Sequence, residues 1–174
     1  MPKGFFRLIS FILFLFDMSE ILLLDFKNNH SRVPDTRRIG DAGEKLAAEY
    51  LIKNGYRLVM ANFKIPIGRN SRGVSVTGEI DLIAIEDDVL CFVEVKTRSS
   101  DEFASPVAAV NLRKQRQITR TARMYRKTYR LEKIKFRYDV ISIILKNGAK
   151  PQIEIFKNFW HESKFRKKTW LEDF

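Results

Sequence analysis

The chain has little sulfur and little imidazole: one cysteine and two histidines in 174 residues. A single cysteine, Cys91, allows no internal disulfide and suits a reducing cytoplasm, which is the location we expect. No cluster of histidine and cysteine indicates a zinc site. Cys91 lies in an apolar, strand-like run, where we expect it to act as a small buried hydrophobe.

The sequence also lacks an apolar run long enough to span a bilayer. The longest run near the start, residues 8–16, has nine residues and contains Ser10, so we do not expect a membrane as a partner. Lys3 and Arg7 resemble the start of a signal peptide, but no small-residue cleavage site follows. A membrane-associating segment, an amphipathic extension and a start codon placed too early therefore all stay open for this region.

The length of the chain predicts one domain with a core of ordinary size. The polar stretch before residue 38 contains Pro34 and is typical of a linker. We therefore divide the chain into an N-terminal extension and linker (1–38), a folded domain (39–160) and a basic C-terminal tail (161–174).

Acidic residues are almost absent between residues 113 and 137, where eleven Lys and Arg accompany one acid, Glu132. The whole chain carries a formal charge of +11, so this block holds most of the excess. Concentrated positive charge is typical of proteins that bind a polyanion. We expect DNA as the partner, and RNA and a homodimer stay open.

The basic block coincides with a predicted amphipathic helix over residues 106–129. Ile118, Ala122, Tyr125 and Tyr129 fall on one face at 100° per residue. The basic residues form a ridge that no acid on the helix can pair with. The candidate nucleic-acid-binding residues are Arg113, Lys114, Arg116, Arg120, Arg123 and Lys127.

Residues 78–98 predict a β-hairpin, because two alternating apolar runs flank the acidic turn at residues 86–88. Four charged side chains occupy positions where core residues would be expected: Glu79, Asp81, Glu94 and Lys96. Residues two apart share a face of a strand, so we expect Glu79 and Asp81 to point the same way, as do Glu94 and Lys96. A two-sided hairpin with its polar face in water is the plainer interpretation.

The chemistry of these side chains suits phosphodiester hydrolysis. Mg²⁺ (or Mn²⁺) prefers hard oxygen ligands and needs only one or two carboxylates, for which Asp81 and Glu94 are the main candidates and Glu79 a further one. The carbonyl of Val95 could add a third oxygen. Lys96 could steady the attacking water or the developing negative charge.

The remaining pattern predicts an α/β fold. A helix is expected over residues 41–54, strands over 56–64 and 137–145, a mobile loop over 65–77 and an edge strand over 151–156. Together with the hairpin and the long helix, the order is αβββαβ, with a central mixed sheet flanked by helices.

This order and the acid–lysine hairpin resemble the PD-(D/E)xK, or restriction-endonuclease-like, superfamily. A closer resemblance is to the YraN family of uncharacterised bacterial proteins, which is similar to archaeal Holliday-junction resolvases. It covers residues 40–144, and its motifs here are Gly43-Glu44, Gly78-Glu79-Ile80-Asp81, Val93-Glu94-Val95-Lys96, Lys114-Gln115-Arg116 and Asp139-Val140. The loop before Gly78 is longer than the usual connection in the family.

The resemblance implies a nuclease-like domain in which Asp81 and Glu94 bind metal and Lys96 is the motif lysine. It also implies catalytic roles for Glu44, on the first helix, and for Gln115, on the helix after the hairpin. The alternative for Glu44 is a purely structural role, as an acid in the first turn of the helix that the helix dipole stabilises. The predicted function is a metal-dependent DNA endonuclease, a hydrolase acting on branched or structured DNA. A non-catalytic nucleic-acid-binding module is the alternative, and a lipid-binding protein is a third.

Overall fold

The structure, a computed structural model, describes residues 35–99, 110–146 and 148–165. Two helices, α1 (Asp35–Lys53) and α2 (Leu112–Thr128), flank five strands: β1 (Arg57–Arg69), β2 (Ser75–Glu86), β3 (Val89–Arg98), β4 (Phe136–Ile144) and β5 (Gln152–Trp160). A 3₁₀ helix (Glu162–Phe165) follows β5. The predicted α/β class, the αβββαβ order and the mixed sheet flanked by helices are confirmed.

The sheet has the order β1-β2-β3-β4-β5. Only β3 and β4 are parallel, because α2 carries the chain across the sheet between them. The predicted hairpin is β2–β3, and Asp87 in its turn has a φ of 52°. The predicted edge strand over 151–156 is β5, which runs four residues further.

Each helix covers one face of the sheet, and each face has its own core. On the α1 side, Ala47, Ala48 and Leu51 pack on alternate residues of β2, β3 and β4, and Cys91 is buried among them as expected. On the α2 side, Ile118, Ala122 and Tyr125 pack on the strand residues of the opposite face of the sheet. These residues include Ile80, Ile83, Phe92, Tyr138 and Trp160. The predicted apolar face of α2 is thereby confirmed for Ile118, Ala122 and Tyr125, which are buried.

Three boundaries differ from the predictions. Helix α1 begins at Asp35, inside the predicted linker, and α2 begins at Leu112, where Asn111 Oδ1 caps it by accepting from Lys114 N at 3.0 Å. The mobile loop predicted over 65–77 is wrong, because β1 continues to Arg69 and β2 starts at Ser75. The predicted extension up to residue 34 and the tail beyond residue 165 lie outside the described residues.

No helix in the described parts of the chain is long and apolar enough to cross a membrane. Within the predicted basic tail, the 3₁₀ helix packs on α2. Glu162 forms ion pairs with Arg123 and with Arg126 (2.8 Å), and the guanidinium of Arg126 lies over the Phe136 ring at 3.7 Å.

Gly43 allows α1 to approach β3 at very short range. A Cβ atom at this position would lie 1.7 Å from Thr97 Oγ1, whereas a Cβ atom at Gly40 on the same helix would meet nothing within 4 Å. The absence of a side chain at Gly43 therefore sets how closely the helix approaches the end of β3.

We predict that Gly43→Ala lowers the free energy of unfolding by about 1–3 kcal/mol, because the helix must shift away from Thr97. Gly40→Ala is the matched control and should raise it by about 0.5–1 kcal/mol, since alanine favours a helix. Chemical denaturation of both variants measures the difference. Equal effects of the two substitutions would show that the contact with Thr97 is not tight.

Candidate functional site

Strands β2 and β3 separate where the charged residues begin. Their last paired residues are Leu82 and Val93, and beyond this point the two strands diverge into a fork. Val95, two residues past the last pair, has no partner on β2, and its N–H donates to Asp81 Oδ2 at 2.7 Å. A backbone N–H that is buried needs an acceptor, so the aspartate closes the fork.

The regular alternation of β2 fails at the same place. Ile80 packs with α2, whereas Leu82 packs with α1, so residues two apart lie on opposite faces. Asn62 lies opposite this irregularity on β1 and has a φ of 52°, in the left-handed region. The prediction that Glu79 and Asp81 share a face depended on regular alternation, which the structure contradicts.

Glu79 lies at the edge of the site rather than inside it. Its carboxylate forms an ion pair at 3.1 Å with Lys64, its neighbour across β1 and β2, and its side chain is 38% exposed. It is still close enough to Glu44 and Lys114 to raise the pKa of each.

Glu94 is the most deeply buried acid of the fork, with 1% of its surface exposed. Lys96 Nζ donates to its Oε1 at 2.6 Å, and Lys114 Nζ lies 3.1 Å from its Oε2. Among the described residues, the Lys114 ammonium is the group that meets Oε2, through an ion pair rather than a well-directed hydrogen bond. A buried carboxylate oxygen without a hydrogen bond is costly unless a cation compensates it.

Asp81 and Glu94 interact electrostatically. Burial and, to a smaller extent, the negative charge of Glu94 together raise the pKa of Asp81 to about 7, against the opposing effects of Lys114 and of the Val95 N–H. A buried carboxyl whose ionisation is disfavoured by burial and by a neighbouring carboxylate is typical of a site that binds a cation.

Glu44 reaches the same cluster from α1, in the turn that Gly43 brings against β3. Burial raises its pKa, a hydrogen bond with the Asn62 side chain opposes this, and Asp41, Glu79 and Glu94 add to the increase. The structure thus brings Glu44, Asp81 and Glu94 together from three separate elements.

Lys114, a candidate nucleic-acid-binding residue, lies in this cluster, with its ammonium 3.1 Å from Glu94. Burial by itself lowers its pKa, but Glu94 and Asp81 outweigh this and raise it. A signal was present in the sequence, because Lys114 is four residues before Ile118 and eight before Ala122, on the buried face of α2.

Gln115 is buried beside the cluster but turns toward other partners. Its Nε2 donates to the Val110 carbonyl at 2.7 Å, and its Oε1 accepts from Lys164 at 3.3 Å. These contacts hold the start of α2 and connect it to the 3₁₀ helix. Its contact with the 3₁₀ helix could not be predicted from the sequence pattern of α2 alone.

The remaining candidate residues line α2 outside the cluster. Arg113, Arg116, Arg120 and Lys127 are exposed, although Arg120 Nη2 also donates to the Ile67 carbonyl at 2.5 Å. Arg123 is half-buried and is paired with Glu162. The ridge is therefore free mainly at its N-terminal half, the half nearest the carboxylates.

In the described parts of the chain, no three His, Cys, Asp or Glu side chains are arranged to hold a metal ion by themselves. Asp81 and Glu94 still provide the two carboxylates that Mg²⁺ usually takes from a protein, with water and substrate oxygens completing its shell. The raised pKa of Asp81 and the burial of Glu94, whose two oxygens already attract two ammonium groups, fit such a cation.

Comparison with known proteins places the chain in a family. The model of "Uncharacterised protein family UPF0102" matches residues 43–143. A UPF0102 protein of Trichlorobacter lovleyi is 41% identical over 121 residues, which are 69% of this chain and 87% of the relative. A UPF0102 protein of Caldanaerobacter subterraneus subsp. tengcongensis is 39% identical over 118 residues, 68% of this chain and 88% of the relative.

The solved structure of SSO0001 aligns with 84% of this chain and 62% of its own, less than two thirds of its length, at 15% identity and a TM-score of 0.32. The family match spans α1 from Gly43 through nearly the whole of β4, and so includes every carboxylate of the cluster. The chain therefore belongs to the UPF0102 family, the YraN family that its motifs resemble.

Proposed function

We propose that the protein is a Mg²⁺- or Mn²⁺-dependent endonuclease that hydrolyses phosphodiester bonds in DNA, with branched or structured DNA as the expected substrate. The observation that carries the proposal is the fork, where Asp81 and Glu94 are buried side by side with Lys96 and Lys114 on the same carboxylate. A module that only binds nucleic acid has no use for converging carboxylates, because they repel phosphate.

In this mechanism Asp81 and Glu94 would hold the metal ion. A bound Mg²⁺ would neutralise charge on the scissile phosphate and lower the pKa of the attacking water. Lys96 is fixed by Glu94 Oε1 and presents a compact positive charge to the attacking water or to the developing negative charge. Glu44, whose pKa is raised by burial, would accept a proton in the reaction.

The surroundings of the fork favour a polyanion. The first turn of α2 contains no acid, and its N-terminus carries the positive end of the helix dipole. Arg113 and Arg116 are exposed on this half of the helix, and the guanidinium of Arg116 lies 5.7 Å from the centre of the Phe165 ring. Gln115 holds the start of the helix in place and so acts as a positioning residue.

The metal site can be tested by isothermal titration of the full chain with Mn²⁺. We predict that Asp81→Asn and Glu94→Gln each abolish binding, whereas Glu79→Gln changes it little because Glu79 is paired with Lys64. Affinity should rise as the pH increases toward 7, since the Asp81 carboxyl, whose pKa is about 7, must lose its proton to bind metal. Below that pKa the affinity should fall by roughly tenfold per pH unit. If Asp81→Asn and Glu94→Gln bind Mn²⁺ as tightly as the parent does, the protein has no metal site at these two residues.

Lys114 should oppose the metal ion while stabilising the metal-free protein. We predict that Lys114→Met raises Mn²⁺ affinity by at least about tenfold, because a positive charge near the ion is removed. The same change should lower the melting temperature in EDTA, since it leaves buried Glu94 with one cation instead of two. Arg113→Met, the exposed neighbour, is the control and should do neither. Weaker Mn²⁺ binding by Lys114→Met would show that the lysine supports the metal site.

Cleavage is tested on a panel of linear, branched and single-stranded DNA and RNA substrates, with Mg²⁺ or Mn²⁺ against EDTA. We predict that Lys96→Ala lowers the single-turnover rate by about 10²–10³, because one electrostatic contact to the transition state is lost. DNA affinity should stay near the parental value, since the arginines of α2 remain. Metal affinity should not fall, since Asp81 and Glu94 remain and removing the charge of Lys96 beside Glu94 favours a cation. If the parent cuts nothing with either metal, or the variant cuts at the parental rate, the nuclease proposal fails. The alternative of a non-catalytic nucleic-acid-binding module is then favoured.

A further inference from the structure

The end of the β1–β2 hairpin, residues 68–76, forms an exposed projection, which we name the β-arm. Eight of its nine residues are exposed and the ninth, Val76, is half-buried. Its strands pair through Gly68–Val76 and Arg69–Ser75 beyond the body of the sheet. No acid occurs between Lys64 and Thr77, and the β-arm carries Arg69 and Arg72.

The base of the β-arm is fixed to α2 by three contacts. Arg120 Nη2 donates to the Ile67 carbonyl at 2.5 Å, and Gln117 Nε2 donates to the Thr77 carbonyl at 3.1 Å. Gly78 packs so closely on Thr121 that a Cβ atom there would lie 2.0 Å from Thr121 Oγ1. The β-arm therefore has a fixed direction relative to α2 and to the fork.

The tip is ordered by its own hydrogen bonds. Asn70 Oδ1 accepts from the backbone N–H groups of Arg72 and Val74 at 2.9 and 3.0 Å, and Arg69 Nη1 donates to the Gly73 carbonyl at 2.8 Å. Arg69 is thus used in part to hold the turn, while Arg72 and Val74 are exposed, Val74 at 59%. A stiff ribbon whose tip presents one guanidinium and one apolar side chain loses little entropy when it binds.

The distance from the β-arm to the carboxylates suits a double helix. Both lie on β2, and the five residues from Val76 to Asp81 span roughly 16 Å at about 3.3 Å per residue. One turn of B-DNA measures about 34 Å, so this separation is close to half a turn. A phosphodiester at the fork would therefore leave the β-arm beside an adjoining groove, with the exposed arginines of α2 between them.

From this arrangement we propose that the β-arm inserts into the major groove of double-stranded DNA when the backbone lies at the fork. The proposal rests on the proposed function, because it takes the fork as the site where the backbone binds. A two-stranded ribbon fits the major groove of B-DNA, which is about 12 Å wide. The major groove of an RNA duplex is too narrow and deep to admit it, and a single strand offers no groove. The β-arm therefore selects duplex DNA.

The test measures binding of the full chain by fluorescence anisotropy in EDTA, so that neither metal nor cleavage is needed. The probes are a DNA duplex, an RNA duplex of the same sequence and the single DNA strand. One variant is Arg72→Ala, and its matched control is Arg57→Ala, an exposed arginine at the other end of β1. A second variant replaces residues 69–75 with Asn-Gly, a sequence that closes a two-residue hairpin turn. Thermal unfolding checks that each variant is folded.

We expect the parent to prefer the DNA duplex over both other probes by at least several-fold. Arg72→Ala should weaken duplex binding and lower the slope of log affinity against log salt by about one, and Arg57→Ala should not. The shortened variant should lose the preference for duplex DNA while keeping its affinity for the single strand.

Parental duplex affinity and salt slope in the shortened variant would overturn the β-arm proposal even if the parent cuts DNA. Equal binding of the DNA and RNA duplexes by the parent would also overturn it. Conversely, a β-arm-dependent preference for DNA in a protein that cuts nothing would support the β-arm and reject only the nuclease activity.

Discussion

The hydrogen bond from the Val95 N–H to Asp81 is the interaction on which the site depends. Pairing between β2 and β3 ends at Leu82 and Val93, so the strands must separate, and each must satisfy its backbone in another way. Asp81 does this for β3, and the same contact buries its carboxylate beside Glu94. A regular hairpin would have kept the two strands paired and left no room for side chains from the helices. The fork is therefore both an irregularity of the sheet and the reason that Glu44 and Lys114 can meet the strand acids.

A second buried acid shows what a purely structural arrangement looks like in this protein. Asp139, fully buried on β4, accepts from Arg137 Nε through both oxygens, at 3.0 and 2.9 Å, and from the Asn158 N–H at 2.8 Å. The Nε–H of Arg137 is shared between the two oxygens of Asp139, and Nη2 of the same rigid guanidinium donates to Glu86 Oε2 at 2.7 Å. Glu94 instead meets two flexible ammonium groups, those of Lys96 and Lys114. Lysine side chains hold a carboxylate less rigidly than a planar guanidinium does, which suits a site where a metal ion must replace a lysine.

The sequence predicted the hairpin, the acids and the order of elements because these depend on local alternation and on residue type. It did not predict that Lys114 meets Glu94, because that contact depends on how α2 packs on β3. It also predicted a loop over residues 65–77, because glycines and polar residues are typical of loops. The strands in this region are instead held by Arg120 and Gln117 of α2, which lie 40 to 53 residues away along the chain. The sequence pattern of β2 also did not indicate the break in alternation at Asp81, because that break depends on how β1 and β2 bend together at Asn62. Long-range contacts therefore account for each of these differences.

The distribution of charge explains why the acids lie where they do in a chain of net charge +11. A surface that is positive throughout would hold a phosphate backbone but could not bind a metal ion against it. At the fork the carboxylates create a small negative region, and Lys96 and Lys114 compensate it while no metal is bound. Farther along α2, Glu162 pairs with Arg123 and Arg126, whereas Arg113 and Arg116 in the half of the helix near the fork stay exposed. The ion pairs of the 3₁₀ helix thus neutralise two arginines away from the carboxylates and leave those beside the carboxylates available to a phosphate backbone.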